Sequence, residues 1–426
     1  MGFTAFIIRC IRPFAVVFYG AIKLVRRPSD KVVFLSRQSD HLPVDFVLLK
    51  AELAAKDRSL KIQTLCCSDA TCRKRFLGHF TKTVAELWAI ASARAVILDG
   101  YSVAVSWFPQ RSSLYVLQCW HALGGIKRFS WQALDTPGGR PRALAEALRM
   151  HANYTNLLCG GRASIVTFSH AFHVPRARIR PLALPRCDVL RAPDLNRIDH
   201  LMAAHPALFR GRPLVFYAPT FRDTDAAYER WLQALDELAA ACAEHDYTLV
   251  VKTHFRSDDR VTERARHTAA VPDVGESSPT YASDARPAGV ATGSGTYSPA
   301  VTRHAHVHVN PPIDTLDLLV LADHVVTDYS AVAFEAAVAG KPLWFYVFDI
   351  DDYVRERGLN VDPRAEMPDA ACADARELCA RMSAVTVPTA EQQQFLERYV
   401  ALSHIPAARQ IARLVLENLH IIERKG

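Results

Sequence analysis

Two histidines in this chain follow hydrophobic strand patterns, at positions where side chains often carry out general acid–base chemistry. His121 stands just after an apolar run and shortly before two cations, Lys127 and Arg128. His254 ends a second apolar run, two residues after Lys252. An imidazole among cations at a strand end suits a base or an acid that acts on an anionic substrate. A structural role is the alternative for each histidine taken alone.

The segment 317–342 is typical of a phosphate-binding turn. Its pattern predicts a helix, the buried strand His324–Thr327, a polar turn and a second helix that ends at Gly340. Ser330 is predicted to cap the second helix, whose free N–H groups suit a phosphate. Glu335 is a carboxylate placed to accept hydrogen bonds from ribose hydroxyls. The alternative is an ordinary, well-capped βα unit.

Strand and helix patterns alternate along the chain, which predicts parallel sheets covered by helices. The predicted strands are 31–35, 62–65, 95–99, 115–118, 214–217, 247–252, 324–327 and 343–346, with further elements at 156–159 and 164–170. The predicted helices are 42–55, 83–92, 228–245 and, near the end of the chain, 389–424.

The alternation restarts after a turn-rich stretch at 206–213, which predicts two doubly wound α/β domains with a cleft between them. The stretch 264–304 is rich in Pro, Gly, Ser, Thr and Ala and is predicted to be a flexible insertion. The predicted division is a basic N-terminal segment at 1–29, a first domain at 30–204, a second domain at 205–388 and C-terminal helices at 389–426.

Length and charge limit the classes of partner. The chain has 426 residues, half of them hydrophobic, and a net charge of +7, which favours anionic partners such as phosphates, nucleotides or an acidic membrane surface. No nucleic-acid-binding motif is recognisable, so nucleic acid is not a predicted partner.

Ten cysteines lack zinc-ligand spacing and are interpreted as reduced thiols of a cytosolic protein. No metal site is predicted, although the alternating His304, His306 and His308 are a minor alternative. The acidic residues of the second half leave the need for a divalent metal open.

The N-terminal segment is apolar and aromatic over residues 2–25, but Arg9 and Arg12 interrupt it and Lys23, Arg26 and Arg27 close it. These charges argue against a spanning helix. The pattern predicts a basic amphipathic helix that lies on the inner leaflet and places the protein at the cytoplasmic face of the membrane. A helix docked on the protein's own surface is the alternative.

Several short motifs follow one another along the chain: Trp120-His121, Pro185-Arg186 with Asp188, YAPTFRD at 217–223, Lys252 with His254, TDYS and Glu335 within 327–335, and GKP at 340–342. Together these motifs resemble those of the CDP-glycerol glycerophosphotransferases, which build teichoic acids and related capsule polymers. The resemblance runs from about residue 31 to about residue 362 and implies a GT-B-like architecture of two Rossmann-like domains, with membrane association. The chain departs from the family after His121, where Ala122-Leu123-Gly124-Gly125 replaces a Gly-Thr-Pro-like sequence.

The resemblance implies a role for each candidate residue. His121 would deprotonate the acceptor hydroxyl, and His254 would stabilise or protonate the departing phosphate. Ser330 and the following helix start would hold the pyrophosphate, and Glu335 the ribose. The remaining implied contacts are Arg222, Lys252, Thr327 and Asp328 on the donor side, and Lys127 and Arg128 on the acceptor side.

The implied reaction is attack of a hydroxyl on the β-phosphorus of CDP-glycerol or CDP-ribitol, with CMP leaving. The implied acceptor is a lipid-linked or polymeric cell-surface glycan. Two alternatives stay open: a nucleotide-sugar glycosyltransferase of capsule or lipopolysaccharide assembly, and a non-catalytic partner of such a pathway.

Overall fold

Two parallel β-sheets, one in each half of the chain, form the framework of the molecule. The computed structural model describes residues 2–68, 71–72, 77–209, 211–253 and 305–423. Over these residues each sheet has six strands, in the orders β2-β1-β3-β4-β5-β6 and β12-β11-β10-β7-β8-β9. Both faces of the sheets carry helices, which is why the central strands are continuous apolar runs without polar alternation. The predicted α/β class with two doubly wound domains is confirmed.

The first domain contains the strands β1 Lys31–Ser36, β2 Lys61–Cys66, β3 Ala95–Leu98, β4 Tyr115–Gln118, β5 Asn156–Cys159 and β6 Ile179–Pro181. Its helices are α1 Gly2–Val25, α2 Val44–Lys56, α3 Gly78–Ile90, α4 Val103–Ser106, α5 Arg142–Ala147, α6 Ile165–Phe172, α7 Arg186–Arg191 and α8 Leu195–Ala204.

The second domain contains the strands β7 Leu214–Ala218, β8 Thr248–Val251, β9 Val307–Val309, β10 His324–Thr327, β11 Leu343–Tyr346 and β12 Ala371–Cys372. Its helices are α9 Asp225–Glu244, α10 Thr315–Leu321, α11 Val332–Val338, α12 Ile350–Glu356, α13 Pro363–Glu366 and α14 Ala375–Ser383. The last two helices are α15 Ala390–Tyr399 and α16 Ala407–Glu423.

The final helix, α16, returns to the first domain. It lies against α2 and buries Ile411 and Val415. Asp188 of α7 accepts hydrogen bonds from the first two amides of α16, at 2.8 and 3.1 Å. These carboxylate contacts satisfy free N–H groups at the helix start. The chain therefore crosses from the second sheet back to the first before it ends.

Helix α1 is docked on the first domain along one stripe only. The Tyr19 hydroxyl donates to the Gln110 side chain at 2.9 Å, and Lys23 Nζ donates to the Pro109 carbonyl at 3.0 Å. The opposite face leaves large apolar side chains in water, among them Phe14, which is 77% exposed. By length and composition this helix is also apolar enough to cross a membrane. The predicted N-terminal helix is confirmed.

The sequence pattern differs from the structure at a few elements. The element at 164–170 is the helix α6, whose Phe168 and Phe172 are fully buried. Three strands were not predicted, β6, β9 and β12, because runs of two or three residues at or near sheet edges carry too little periodicity to be recognised. The predicted insertion 264–304 lies outside the described residues.

Candidate active site

A cavity of about 300 Å³ lies between the two domains, next to the loop that follows β4 and the turn that follows β10. Carboxyl ends of parallel strands are where open α/β sheets bind ligands, and β10 pairs with β7 where the strand order of the second sheet reverses. The cavity is lined by Trp120, His121, Ala122, Gly124, Gly125, Ile126, Lys127, Phe129, Arg186, Tyr329, Ser330, Ala331, Val332 and Glu335.

His121 is held in one tautomer by the backbone. Its Nδ1 lies 3.0 Å from the carbonyl oxygen of Asp99, which follows the neighbouring strand β3. Because a carbonyl only accepts, Nδ1 donates the proton and Nε2 keeps the lone pair. Burial lowers the pKa of His121 to about 4, and the nearby Arg186 and Lys127 add to that effect. The imidazole is therefore neutral at physiological pH and able to accept a proton.

The residue before His121 adopts an unusual backbone conformation. Trp120 has a φ of 61°, in the left-handed region that bulky residues rarely occupy. Its N–H donates to Oε1 of the buried Gln118 at 2.8 Å, and the Gln118 amide donates in turn to Gly100 O and the Tyr154 hydroxyl. This hydrogen-bond chain offsets the strain and fixes the direction in which His121 leaves the strand.

Arg186 joins the two domains inside the cavity. Its Nε and backbone N–H donate to the Asp45 carboxylate of α2, at 2.9 and 2.7 Å, and its Nη1 lies 3.3 Å from Glu335 Oε1 of α11. Burial opposes the charge of Arg186, but the Asp45 and Glu335 carboxylates outweigh that cost and raise its pKa. The guanidinium therefore stays charged at the wall of the site.

Glu335 carries an unused acceptor. The residue is only 4% exposed, and its second oxygen, Oε2, has no hydrogen-bond partner among the described residues. Burial raises the pKa of Glu335 to about 7, although the Arg186 charge opposes the shift. An unpaired carboxylate oxygen that lines a cavity suits a ligand hydroxyl as its donor.

We expect the free energy of unfolding to record this raised pKa. A carboxyl whose pKa is higher in the folded chain than its ordinary 4.5 stabilises the fold at low pH, and that contribution disappears as the pH rises through about 7. Glu335→Gln removes the titration. Relative to wild type, E335Q should therefore gain about 1–3 kcal/mol between pH 5.5 and pH 8.5 in urea unfolding. The control is Glu417→Gln on α16, whose carboxylate is half exposed. An equal effect of E335Q at both pH values contradicts the expectation.

Ser330 and Lys127 lie in the cavity, as the site prediction requires, but the capping prediction for Ser330 is wrong. Helix α11 begins at Val332 with Ala331 at the cap position, and no side chain caps it. The Ser330 hydroxyl accepts only a long contact of 3.4 Å from the Val332 N–H. The cause is the turn after β10. It continues one residue beyond Ser330, so the helix starts later than the position of Ser330 in the sequence indicates.

Burial lowers the pKa of Lys127 to about 8, and the nearby positive charge of Arg357 contributes to the shift.

Arg222 and Asp328, two predicted donor contacts, lie outside the cavity in a buried ion-pair network. Arg222 Nη1 donates to Asp328 Oδ2 at 2.9 Å, and its Nε donates to Asp349 Oδ2 at 2.8 Å. Asp328 also accepts from the Thr220 N–H at 2.8 Å. These contacts tie the YAPTFRD turn to the TDYS turn, and Arg222 is 3% exposed. In the structure the two residues shape the turns beside the cavity.

The remaining predicted residues lie at different depths. Thr327 is buried and its hydroxyl donates to Ala218 O at 2.7 Å on the neighbouring strand. Lys252 Nζ donates to Pro311 O and Ile313 O at 3.1 and 2.6 Å. Arg128 is exposed and does not line the cavity. His254 lies outside the described residues, so its role stays a prediction.

Arg186 and Asp45 are the main site residues for which sequence reasoning assigned no role. Arg186 belongs to a short sequence motif with Pro185 and Asp188, but only the folded structure shows that its guanidinium contacts both Asp45 and Glu335.

Among the described residues, no group of three or more His, Cys, Asp or Glu side chains is arranged to hold a metal ion.

The sequence of nearly the whole chain matches the model of one protein family. Residues 18–417 match the family of CDP-glycerol:poly(glycerophosphate) glycerophosphotransferases. The teichoic acid ribitol-phosphate primase of Bacillus spizizenii is 27% identical over 350 residues, which cover 80% of each chain. The teichoic acid ribitol-phosphate polymerase TarK of Staphylococcus aureus is 24% identical over 77% of this chain, but only 57% of that polymerase is covered.

A solved structure of the wall teichoic acid polymerase TagF has the same fold, with a TM-score of 0.66, 16% identity and 98% of both chains covered. The predicted GT-B-like architecture is confirmed by this likeness. The predicted enzyme class, a transferase that moves a polyol phosphate from a CDP-alcohol to a glycan acceptor, is confirmed by the family match and by the primase and polymerase relatives. The chain belongs to the CDP-glycerol:poly(glycerophosphate) glycerophosphotransferase family.

Proposed function

We propose that the chain transfers glycerol phosphate or ribitol phosphate from its CDP ester to a hydroxyl of a lipid-linked or polymeric glycan, and that the interdomain cavity is the reaction site. The observation that carries this proposal is the arrangement of one neutral histidine and two cations around one cavity. His121 supplies a proton acceptor, and Arg186 and Lys127 supply positive charge for a diphosphate. Phosphoryl transfer needs little beyond positioning and charge stabilisation.

The proposed step conserves atoms and charge with these groups. The acceptor hydroxyl attacks the β-phosphorus, its proton moves to Nε2 of His121, and the bond from the β-phosphorus to the bridging oxygen breaks. CMP leaves with that oxygen. His254 is proposed to assist the leaving phosphate, on the basis of the motif it shares with Lys252.

The low pKa of His121 fits this step. In the structure, burial and two neighbouring cations disfavour the imidazolium. A bound diphosphate brings negative charge close to Arg186 and Lys127, which offsets their effect on the histidine. The donor therefore opposes the part of the shift that the two cations cause, and so favours proton transfer to His121.

The donor side is proposed to lie along α11. Ser330 would contact the diphosphate, and Glu335 Oε2 would accept a hydrogen bond from a ribose hydroxyl. Support comes from their place in the same cavity and from the unpaired Oε2 atom. Arg222, Asp328, Thr327 and Lys252 would then act by holding the turns and strand ends that carry the donor site, as their hydrogen bonds indicate.

The experiment that tests the function is a donor comparison with CMP release as the readout. The protein is incubated with a membrane fraction that contains lipid-linked glycan, which serves as the acceptor. CDP-glycerol, CDP-ribitol and UDP-sugars are each added as the donor in separate reactions. Mass spectrometry then identifies the released nucleotide. CMP from either CDP-alcohol supports the proposal. UDP from a sugar nucleotide points to a glycosyltransferase, and no release from any donor points to a non-catalytic partner.

We also propose that α1 lies on the cytoplasmic leaflet of the cell membrane. Its exposed face combines Phe3, Phe6 and Phe14 with the neighbouring cation Arg9, and an apolar face flanked by cations matches an anionic bilayer. Helix α3 lies beside α1 and adds the exposed Phe80. A membrane-bound enzyme would meet a lipid-linked acceptor at the surface where that acceptor resides.

A vesicle sedimentation assay tests this location. Phe14→Glu combined with Val17→Glu places two charges on the exposed apolar face. Because each large apolar side chain gains about 1.5–3 kcal/mol on leaving water, binding to phosphatidylglycerol vesicles should fall at least ~10-fold. Leu195→Glu is the matched control, since Leu195 is also strongly exposed but lies on α8. Equal binding of the double variant and wild type would exclude α1 as the contact.

A further inference from the structure

The loop after His121 is fastened to the second domain through its backbone. The Arg128 N–H donates to Gly358 O at 3.0 Å, and the Asn360 N–H donates to Ile126 O at 2.7 Å. Between them Lys127 and Leu359 form an antiparallel bridge. We name this contact of residues 126–128 with residues 358–360 the interdomain bridge. It is a sheet-like contact between a loop of the first domain and a loop of the second.

Two side-chain amides close the interdomain bridge. Gln132 Nε2 donates to Asn360 Oδ1 at 2.9 Å, and Asn360 Nδ2 donates back to Gln132 Oε1 at 3.1 Å. Asn360 Nδ2 also donates to the carbonyl of Lys127 at 3.0 Å. The backbone of Lys127 is therefore held by strand-like pairing and by a side chain from the opposite domain. Few other short polar side chains can make this set of contacts, since Asn offers both donor and acceptor.

The loop also has no spare room against the second domain. Gly358 has a φ of +77°, and a Cβ at that position would stand 2.7 Å from Arg128 Cδ. A Cβ on Gly124 would stand 2.5 Å from Phe334 Cζ of α11. The positive φ of Gly358 and the buried Phe334 ring beside Gly124 therefore favour glycine at both positions. The loop after His121 therefore packs closely against the second domain both at Gly124 and at Arg128.

We propose that Asn360 and Gln132 are positioning residues. Through the interdomain bridge they hold the Lys127 segment of the first domain at the reaction site. The inference rests on the proposed function, in which Lys127 places a cation near the transferred phosphate. Neither amide lines the cavity, so each acts through the loop that carries Lys127. A cation displaced by about 1 Å loses much of its effect on a transition state, which gives the bridge a catalytic consequence.

Kinetics and hydrogen exchange of the full chain test the proposal together. For Asn360→Ala, kcat for CMP release should fall about 10- to 100-fold, with a smaller change in the donor KM. In this variant the backbone amides at positions 128 and 360 should exchange faster with solvent. Gln132→Ala should give a smaller loss in the same direction. Because the two side chains act through one contact, the double variant should be little worse than N360A alone.

Two further variants separate positioning from general stabilisation. Asn360→Asp keeps the size of the side chain and its acceptor for Gln132 Nε2 but removes the donor to the Lys127 carbonyl and to Gln132 Oε1, so it should lose kcat even where the chain folds. Arg197→Ala removes another contact between the two domains, the two-pronged pair of Arg197 on α8 with Asp317 on α10, which lies away from the cavity. R197A should leave kcat unchanged.

The outcomes are distinct. A wild-type kcat in N360A and N360D, with faster exchange at Arg128, would overturn the positioning role and leave a structural contact only. An equal loss of kcat in R197A would overturn it as well. A wild-type protein that releases no CMP from any CDP-alcohol would instead overturn the proposed function. In that case hydrogen exchange of the backbone amides alone decides whether Asn360 holds the Lys127 segment. An unchanged exchange rate of the Arg128 amide in N360A would overturn the inference.

Discussion

Replacing His121 by alanine should lower kcat for CMP release by about 10²–10⁴-fold, the usual contribution of a positioned general base. The imidazole is the residue best placed for that role, because Nδ1 is committed to the Asp99 carbonyl and Nε2 keeps its lone pair. The side chain is half-buried, so its loss should cost little stability compared with that change in rate. Donor affinity should change much less than kcat, since the proposed donor contacts are made by Arg186, Ser330 and Glu335.

The measurement is steady-state CMP release at saturating donor, with donor affinity from calorimetry. His173→Ala is the matched control: His173 belongs to the same domain and stacks on Trp131, 4.1 Å away, outside the cavity. H173A should turn over like wild type. If H121A kept the wild-type kcat, the proton would have to be accepted by another group, and His254 would be the next to test.

Replacing Arg222 by alanine should cost about 3–5 kcal/mol of unfolding free energy, because it leaves two buried carboxylates without their cation. Asp328 is fully buried and Asp349 is 5% exposed, and both bond to the same guanidinium. The rings of Tyr329, Phe348 and Tyr353 surround that guanidinium at 5.2–5.4 Å, so the substitution also removes its cation–π contacts. This is the largest stability change that we expect from one substitution in the second domain.

Urea unfolding of R222A measures the loss. Arg230→Ala is the control, since Arg230 is half exposed and pairs with Asp352 at the surface, where an ion pair contributes about 0–1 kcal/mol. Combining Arg222→Met with Asp328→Asn and Asp349→Asn should recover much of the stability, because no buried charge then lacks a partner. If R222A unfolded like R230A, the network would not be a main support of the turns, and a direct contact of Arg222 with the donor would become the better explanation.

The sequence predicted the framework well because hydrophobic runs determine it. The strands 115–118, 324–327 and 343–346 coincide with β4, β10 and β11, whose residues are all buried. Such runs are interrupted by polar turns, so both their position and their order can be read from the chain. His121 and Ser330 each follow a predicted strand, and the structure brings both to the wall of one cavity.

The contacts between side chains could not be predicted in the same way. Arg222, Asp328 and Asp349 are far apart in the sequence, and nothing local indicates that they satisfy one another inside the fold. The side chain of a polar residue that follows a strand can point toward the ligand or toward the turn after the neighbouring strand. Which of the two it does depends on tertiary packing. The bridge of Gln132 with Asn360 is another case, since its partners are 228 residues apart.

The return of α16 to the first domain has a consequence for the order of folding during synthesis. Translation proceeds at roughly 5–20 residues per second, and domains usually fold as they emerge. Here the surface of α2 that α16 covers, and the Asp188 carboxylate that meets its first amides, wait for residues made more than two hundred positions later. At that rate the first domain waits on the order of tens of seconds for the helix that covers this face of α2. Its final stability is acquired only when the second domain has already been made.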